Sequence, residues 1–294
     1  MLHSDLKEVG PSVGIRPITD EDVPRVARFL HEELNGRISP ATWAAAIRPP
    51  WWPPSPDHGF MLASGERVLG VYLAFYSQRR VGGQMERFCN LAAWCVAEDY
   101  RSHGLRLLKA MLAQDGYTFT DLSPSGNVVS LNSRLNFQQL DTATVLVPNW
   151  PWPRSVHTRV ISDPALIESA LDRRDLEIYR DHAGAIAAHH LLVQRDYEHC
   201  YVMFRRDRRK NLPLFASLLH VSNPELFRKT ARHFYSHLLT HFGVAATLAE
   251  KRVVLHQPRF SIRLRSPRPT MFRSSRLRSD QIDYLYSELA CVPW

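Results

Sequence analysis

Twice in this chain, between Val96 and Gly116 and again between Val221 and Gly243, an apolar strand runs into an amphipathic helix, a glycine and a second strand. That order is the crossover between neighbouring parallel strands, which cannot be joined by a tight hairpin. The fold class is therefore α/β (α+β), with a mixed central sheet and flanking helices. The repetition predicts two tandem domains of like construction, and 294 residues suffice to give each its own core.

The first half reads β-α-α-β-β-β-α-β-α-β. Val13 to Ile18 is a strand, and Thr19 offers a helix cap ahead of Val23, Val26, Ala27 and Leu30 at helical spacing. Ser39-Pro40 opens a second helix running to about Ile47. The aromatic, proline-rich stretch 49–56 breaks regular structure and is expected to line an acceptor cleft. Two apolar strands flank the Ser64-Gly65-Glu66 turn. Arg87 to Val96 is a strand, 105–112 a helix and 117–122 a strand. The prolines of 148–154 read as a linker, which sets domains at 1–149 and 155–294. In the second domain a capped helix at Ser162-Asp-Pro precedes strands near 187–194, 199–206 and 213–221. A helix from Pro224 to about His241 and a strand at 244–248 follow. The segment 259–278 holds seven arginines among prolines and serines and is expected to be exposed, ahead of a terminal helix from Asp280 to Leu289.

Residues 1–150 carry 14 Lys+Arg against 15 Asp+Glu, whereas 151–294 carry 23 against 14. Only the second half is basic. The run Arg205 to Lys210 is expected to be a solvated hairpin, and without interleaved aromatics it does not indicate nucleic acid. Arginine outnumbers lysine 32 to 5, a bias typical of a GC-rich, bacterial type of genome. Cys89, Cys95, Cys200 and Cys291 lack zinc-site spacing, and His189-His190 on a strand would point to opposite faces, so no metal site is expected. With no span of about 20 apolar residues and no signal-peptide pattern at the start, the expected location is cytoplasmic.

The segment Val96 to Leu108 joins strand to helix, where backbone N–H groups and the helix dipole favour a phosphate or pyrophosphate. Gly104 allows close approach of that group, and Arg101 and Arg106 can add charge-assisted hydrogen bonds. Val96, Tyr100, Arg101 and Gly104 resemble the hallmark of the GNAT acyltransferase superfamily, with Arg106 in place of its last small residue. The resemblance covers about residues 13–141. It includes Leu131-Asn-Ser-Arg-Leu-Asn-Phe, which is similar to the family's Leu-Tyr-x-x-Leu-Gly-Phe. Asn136 for glycine is mild, since asparagine tolerates positive φ. Asn132 stands where the family often has a tyrosine that protonates the departing thiolate, a step asparagine cannot perform.

The resemblance implies a GNAT-type sheet in each of the two domains, with the second copy degenerate because its loop at Val221 to Lys229 lacks the matching glycine and arginine. It implies an acyl-coenzyme A donor, acetyl or longer, whose pyrophosphate meets Arg101, Ser102, His103, Gly104, Leu105 and Arg106. The pantetheine arm would pair with the backbone of Trp94, Cys95 and Val96. The acceptor would be a small amine or hydroxyl compound. Glu86 is the best-placed base on that strand and Asp121 the second, although the plainer reading of Glu86 is an ion pair with Arg87 or Arg80. Ser123, Ser125 or Ser133 are the substitutes for the missing acid. Two other readings stand beside this one: donation by an acyl carrier protein attracted to the basic half, and a non-catalytic acyl-coenzyme A sensor.

Overall fold

The computed structural model describes residues 12–52, 55–153, 155–209 and 212–294. The first half forms β1 (Gly14–Pro17), α1 (Val23–Glu33), α2 (Pro40–Ile47), β2 (Gly59–Ser64), β3 (Arg67–Val81) and β4 (Gln84–Val96). A 3-10 turn (Glu98–His103) then leads through α3 (Gly104–Leu112), β5 (Tyr117–Asp121) and α4 (Gly126–Arg134) to β6 (Gln138–Gln139) and β7 (Thr144–Pro148). The second half repeats the order. It runs β8 (Thr158–Ile161), α5 (Pro164–Ala170), α6 (Arg173–His182), β9 (Ala188–Arg195), β10 (Glu198–Arg209), β11 (Leu212–Val221), α7 (Pro224–Phe242), β12 (Ala246–Glu250) and α8 (Lys251–Val254). It closes with β13 (Ile262–Arg263), β14 (Met271–Arg273) and α9 (Glu288–Cys291).

Two seven-stranded mixed sheets result. The first has the order β1-β2-β3-β4-β5-β14-β6, and the second, read from its far edge, β8-β9-β10-β11-β12-β7-β13. The two orders correspond place for place, with one parallel pair in each, β4 with β5 and β11 with β12. The sixth place in each sheet is filled by a strand from the other half of the chain. Met271 to Arg273 pair with Asp121 to Phe119, while Thr144 to Pro148 pair with Glu250 to Ala246. The change of sheet thus occurs before β7, not at the proline-rich stretch 148–153. That stretch is tied down: Asn149 is buried, donates to the Val244 carbonyl at 2.8 Å and accepts from Thr247, and the Trp152 N–H donates to Ser236.

Several sequence expectations are corrected here. Asp22, not Thr19, occupies the α1 cap, and it accepts from the Thr19 N–H and hydroxyl at 3.0 Å. The basic segment 259–278 is not simply exposed. Its Thr270, Met271 and Phe272 are buried because this stretch carries the exchanged strand, and Phe272 packs with Phe88, Leu140 and Ile282. Instead of a terminal helix, residues 284–292 form a buried wedge with only one helical turn at its end. Its backbone is held by side chains of both halves. The Tyr286 N–H donates to His182 at 2.9 Å and the Glu288 N–H to Asn90 at 2.8 Å. Trp51 is likewise buried, donating to the Tyr76 carbonyl and packing on His182 and Tyr286, so it belongs to the core and not to a cleft. Pro53, Pro54, Arg154, Lys210 and Asn211 lie outside the described residues.

One apolar cluster runs through both halves, joining Val26, Trp43 and Phe75 to Leu192, Met203, Tyr284 and Leu289. Exchange and shared core together predict that the halves unfold as one. Phe272→Ala should cost about 3–5 kcal/mol and shift a single urea transition, seen alike by fluorescence and circular dichroism. Separate transitions, only one of them shifted, would contradict the coupling.

Candidate active site

β4 and β5 pair in parallel only from Arg87 with Tyr117 to Asn90 with Thr120. Beyond Asn90, β4 keeps its partner β3 but has none on the β5 side. A bulge lies in this stretch, where the register slips between Val71 and Leu73 and Ala93 takes a φ of 49°. A bulge bends its strand and sharpens the twist, which turns Leu91 to Val96 away from β5. The fork opens a cleft of about 410 Å³ lined by Tyr72, Leu91 to Trp94, Asp121, Ser123 and Ser125, with Arg268 and Pro269 entering from the second half.

Trp94 lines this cleft, and Cys95 and Val96 continue β4 beyond it without a partner on the β5 side. Trp94 stacks on Tyr72 with centroids 5.1 Å apart, and its indole N–H is buried without a partner among the described residues. Burial pushes the Cys95 thiol up to about 11, so it is a neutral group and no nucleophile. After β4 the chain winds directly into the 3-10 turn. The Gly104 N–H donates to the Arg101 carbonyl, and Gly104 has an ordinary helical φ of −56°. A Cβ there would make an ordinary contact with the Trp94 ring at 3.5 Å, so neither the backbone nor the packing requires glycine at this position. Arg101, Ser102, Leu105 and Arg106 are exposed around the turn, and Ser102 contacts His103 at 3.2 Å. Arg101 makes a loose pair with Glu98 at 3.4 Å.

Asp121 ends β5 inside the cleft. It is 6% exposed, and burial pushes its carboxyl up to about 7 against the opposing hydrogen bonds from Asn132 and the Ser123 N–H. Asn132 is fully buried on α4 and donates from Nδ2 to Asp121 Oδ2 at 2.8 Å. Asn132 thus orients the carboxylate. Asn136, with φ 65°, takes the left-handed conformation expected of a glycine substitute after α4. Ser123 lies at the cleft floor and donates to Glu288 Oε1 at 2.8 Å, whereas the Ser133 hydroxyl is turned back onto the Val129 carbonyl.

Glu86 does not belong to this group. It sits opposite Arg79 near the start of β4, buried against Arg276 at 2.9 Å, about five residues or about 17 Å of strand from Leu91. Its ion pair is with Arg276, not with Arg80 or Arg87. Two residues escaped sequence reasoning. Glu288 is fully buried beneath the fork, and its carboxyl is pushed up to about 7 by burial and by Asp121. Arg268 arrives with the exchanged strand. A lone glutamate inside the apolar run Tyr284 to Val292 was the one available signal for the first.

The second half also has a fork, since β11 pairs with β12 only through Ser217 and Leu248. Its helix N-terminus is already filled: Asn223 Oδ1 accepts the Leu226 N–H at 3.0 Å. Among the described residues Asp172, Asp175 and His199 come close enough to hold a cation, but Asp172 is engaged as the cap of α6.

No family model matches this sequence, and no curated protein sequence matches it. Solved structures do. A GCN5-related N-acetyltransferase from Anabaena variabilis aligns at 12% identity with a TM-score of 0.57, over 89% of this chain and 72% of that one. One from Kribbella flavida aligns at 14% and 0.52, over 90% and 71%. The Saccharomyces cerevisiae N-myristoyltransferase with bound myristoyl-CoA aligns at 10% and 0.51, over 99% and 87%. With the two matching sheets, these likenesses establish a GNAT-type fold present in two copies. No described helix is long and apolar enough to cross a membrane.

The two raised carboxyls carry a stability signature. Asp121 and Glu288 titrate near 4 in an unfolded chain and near 7 here, so between about pH 4 and pH 7 the folded state keeps protons the unfolded chain has released. Stability should fall as pH rises through that window and level off above it. Urea unfolding at pH 5 and pH 8 should show the loss, and Asp121→Asn or Glu288→Gln should shrink it. An unchanged pH dependence in both variants would contradict the assignment.

Proposed function

We propose that the chain is an acyltransferase that takes an acetyl or longer acyl group from acyl-coenzyme A and passes it to an amine or hydroxyl of a small acceptor. The observation that carries this reading is the fork itself: an unpaired, bulged strand edge beside a buried carboxyl held near neutrality. The edge of Trp94 to Val96 offers backbone donors and acceptors to a pantetheine arm in the manner of an added strand. The exposed turn with Arg101 and Arg106 supplies cationic forks for the pyrophosphate. The likeness to acetyltransferases, and to an N-myristoyltransferase solved with its acyl-CoA, supports the same donor class.

In this reading Asp121 is the general base, in place of Glu86. The acceptor nitrogen or oxygen attacks the thioester carbonyl carbon, its proton passes to the Asp121 carboxylate, and the carbon–sulfur bond breaks to release the thiolate. A base that titrates near 7 is half ionised at neutral pH, which suits that proton transfer. The thiolate takes its proton from water. Asn132 is a positioning residue whose donated hydrogen bond favours the ionised form of Asp121.

A second reading, a protein that binds acyl-coenzyme A without turnover, is motivated by Asn132 at the tyrosine position. Calorimetric titration with coenzyme A and acetyl-coenzyme A separates the cases. Wild type should bind in the micromolar range, with binding lost in Arg101→Ala and Gly104→Asp. Absence of wild-type binding would overturn the coenzyme A donor and leave acyl carrier protein as the donor to test. In turnover, kcat should rise with pH through about 7. Asp121→Asn should lower it by about 10²–10⁴, and Asn132→Leu should move the rising limb to higher pH. Binding with no thiol release from any amine would favour the sensor.

A further inference from the structure

The run Arg205 to Lys210 is not a solvated hairpin where it is described. Alternate residues of a strand face opposite sides. Here Arg206 and Arg208 are exposed while Arg205 and Asp207 turn inward, 1% and 2% exposed. They enter a cavity of about 50 Å³ between the halves, whose wall also includes Arg268, Glu250, Tyr284 and Thr270.

Nε, Nη1 and Nη2 of Arg205 are all buried, and none has a hydrogen-bond partner among the described residues. Most acceptors around it are committed elsewhere, and the buried Glu288 Oε2, itself without a partner among the described residues, does not reach it within hydrogen-bond distance. Asp207 accepts from Arg268 at 2.9 Å, Ser217 at 2.8 Å and the Arg208 N–H at 2.8 Å, and Glu250 accepts from Tyr284. Thr144 and Thr270 donate their hydroxyls to backbone carbonyls. A buried guanidinium with no acceptor is among the most costly arrangements a protein can hold. Asp207 and Glu288 are the carboxyls that act on the Arg205 charge, and neither lies within hydrogen-bond distance of its guanidinium. A planar fork of donors remains, with room for a group of about three heavy atoms.

Arg268 lines both this cavity and the cleft that contains Asp121. We propose that Arg205 anchors a carboxylate group in the cavity, and that this carboxylate belongs to the acceptor, which is therefore a small amino or hydroxy acid reaching past Arg268 to the cleft. The acceptor assignment rests on the acyl-transfer reading above, while the carboxylate site does not.

Formate is the probe for the site. In HEPES buffer at constant ionic strength, formate at about ten times its dissociation constant should raise Tm by about 2 °C in the wild type. Arg205→Met, which keeps the volume and removes the buried charge, should show no shift, and Arg205→Lys a smaller one. An equal rise in wild type and Arg205→Met, or no rise in the wild type, overturns the site. For the acceptor, thiol release from acetyl-coenzyme A is compared between amino acids and their carboxamides. The acids should be preferred by about tenfold or more, and Arg205→Met should erase the preference. Formate binding without such a preference would assign the site to a free anion and overturn the acceptor class. Calorimetry with acetyl-coenzyme A in the same preparations shows whether the donor reading has failed instead.

Discussion

Backbone groups inside a sheet must find partners on both sides, and in this chain the strands beside β5 and β12 are supplied by the opposite half. β5 and β6 never touch; β14 lies between them, and Asp121 is paired in register with Met271. Each half therefore lacks a complete sheet by itself. The position of the candidate base is set by a strand that the chain reaches only after building the whole second domain. Arg268 and Pro269 enter the cleft as a by-product of that pairing, because they immediately precede the exchanged strand.

The same architecture gives the two forks different surroundings. In the first sheet the strands part into the cleft that contains Asp121. In the second, the opening beyond Ser217 and Leu248 is bordered by the small charged cavity around Arg205, with Tyr284 and Leu289 of the terminal wedge in its wall, and by a wider cleft of about 590 Å³ lined by Leu219, His220, Val221 and Arg252. Asn223 occupies the helix N-terminus of this second copy. Its contribution to the first fork is a wall and a buried charge.

The regular elements were legible because each rests on local pattern. The helix from Pro224, the strands around 190, 200 and 217, and the hairpin at Gly65 follow from spacing, caps and a φ of 58° that glycine supplies. The pairing of Trp94 to Val96 with an extended ligand was an expectation of the family resemblance alone, not of the local pattern. What sequence could not show was long-range pairing. Nothing local in Thr144 to Pro148 or Met271 to Arg273 says which sheet they join, since both are short apolar runs. Charges misled for a related reason. Arg205 and Arg206 look alike in a row, and only the pleat decides that one is buried and the other exposed. Glu86 was favoured over Asp121 for its place at the head of β4, yet it lies on the wrong side of the fork point at Asn90.

Asn132 sharpens what kind of chemistry the cleft can support. Its amide donates to Asp121 while its own carbonyl oxygen is buried without a partner, an arrangement that costs about 1–3 kcal/mol for the orphaned acceptor. Against the ionised carboxyl, reversing the amide would satisfy nothing, because it would set the carbonyl oxygen against the carboxylate. The donated hydrogen bond therefore favours the ionised form of Asp121, and burial opposes it to leave the group near 7. With an amide in that position, proton traffic in the proposed transfer runs through the base alone. A thiol titrates near 8.5 in water, so a thiolate can depart near neutral pH without a dedicated acid. Removing the proton from the attacking amine or hydroxyl has no such allowance. The residue the cleft keeps, Asp121, is the one that step requires.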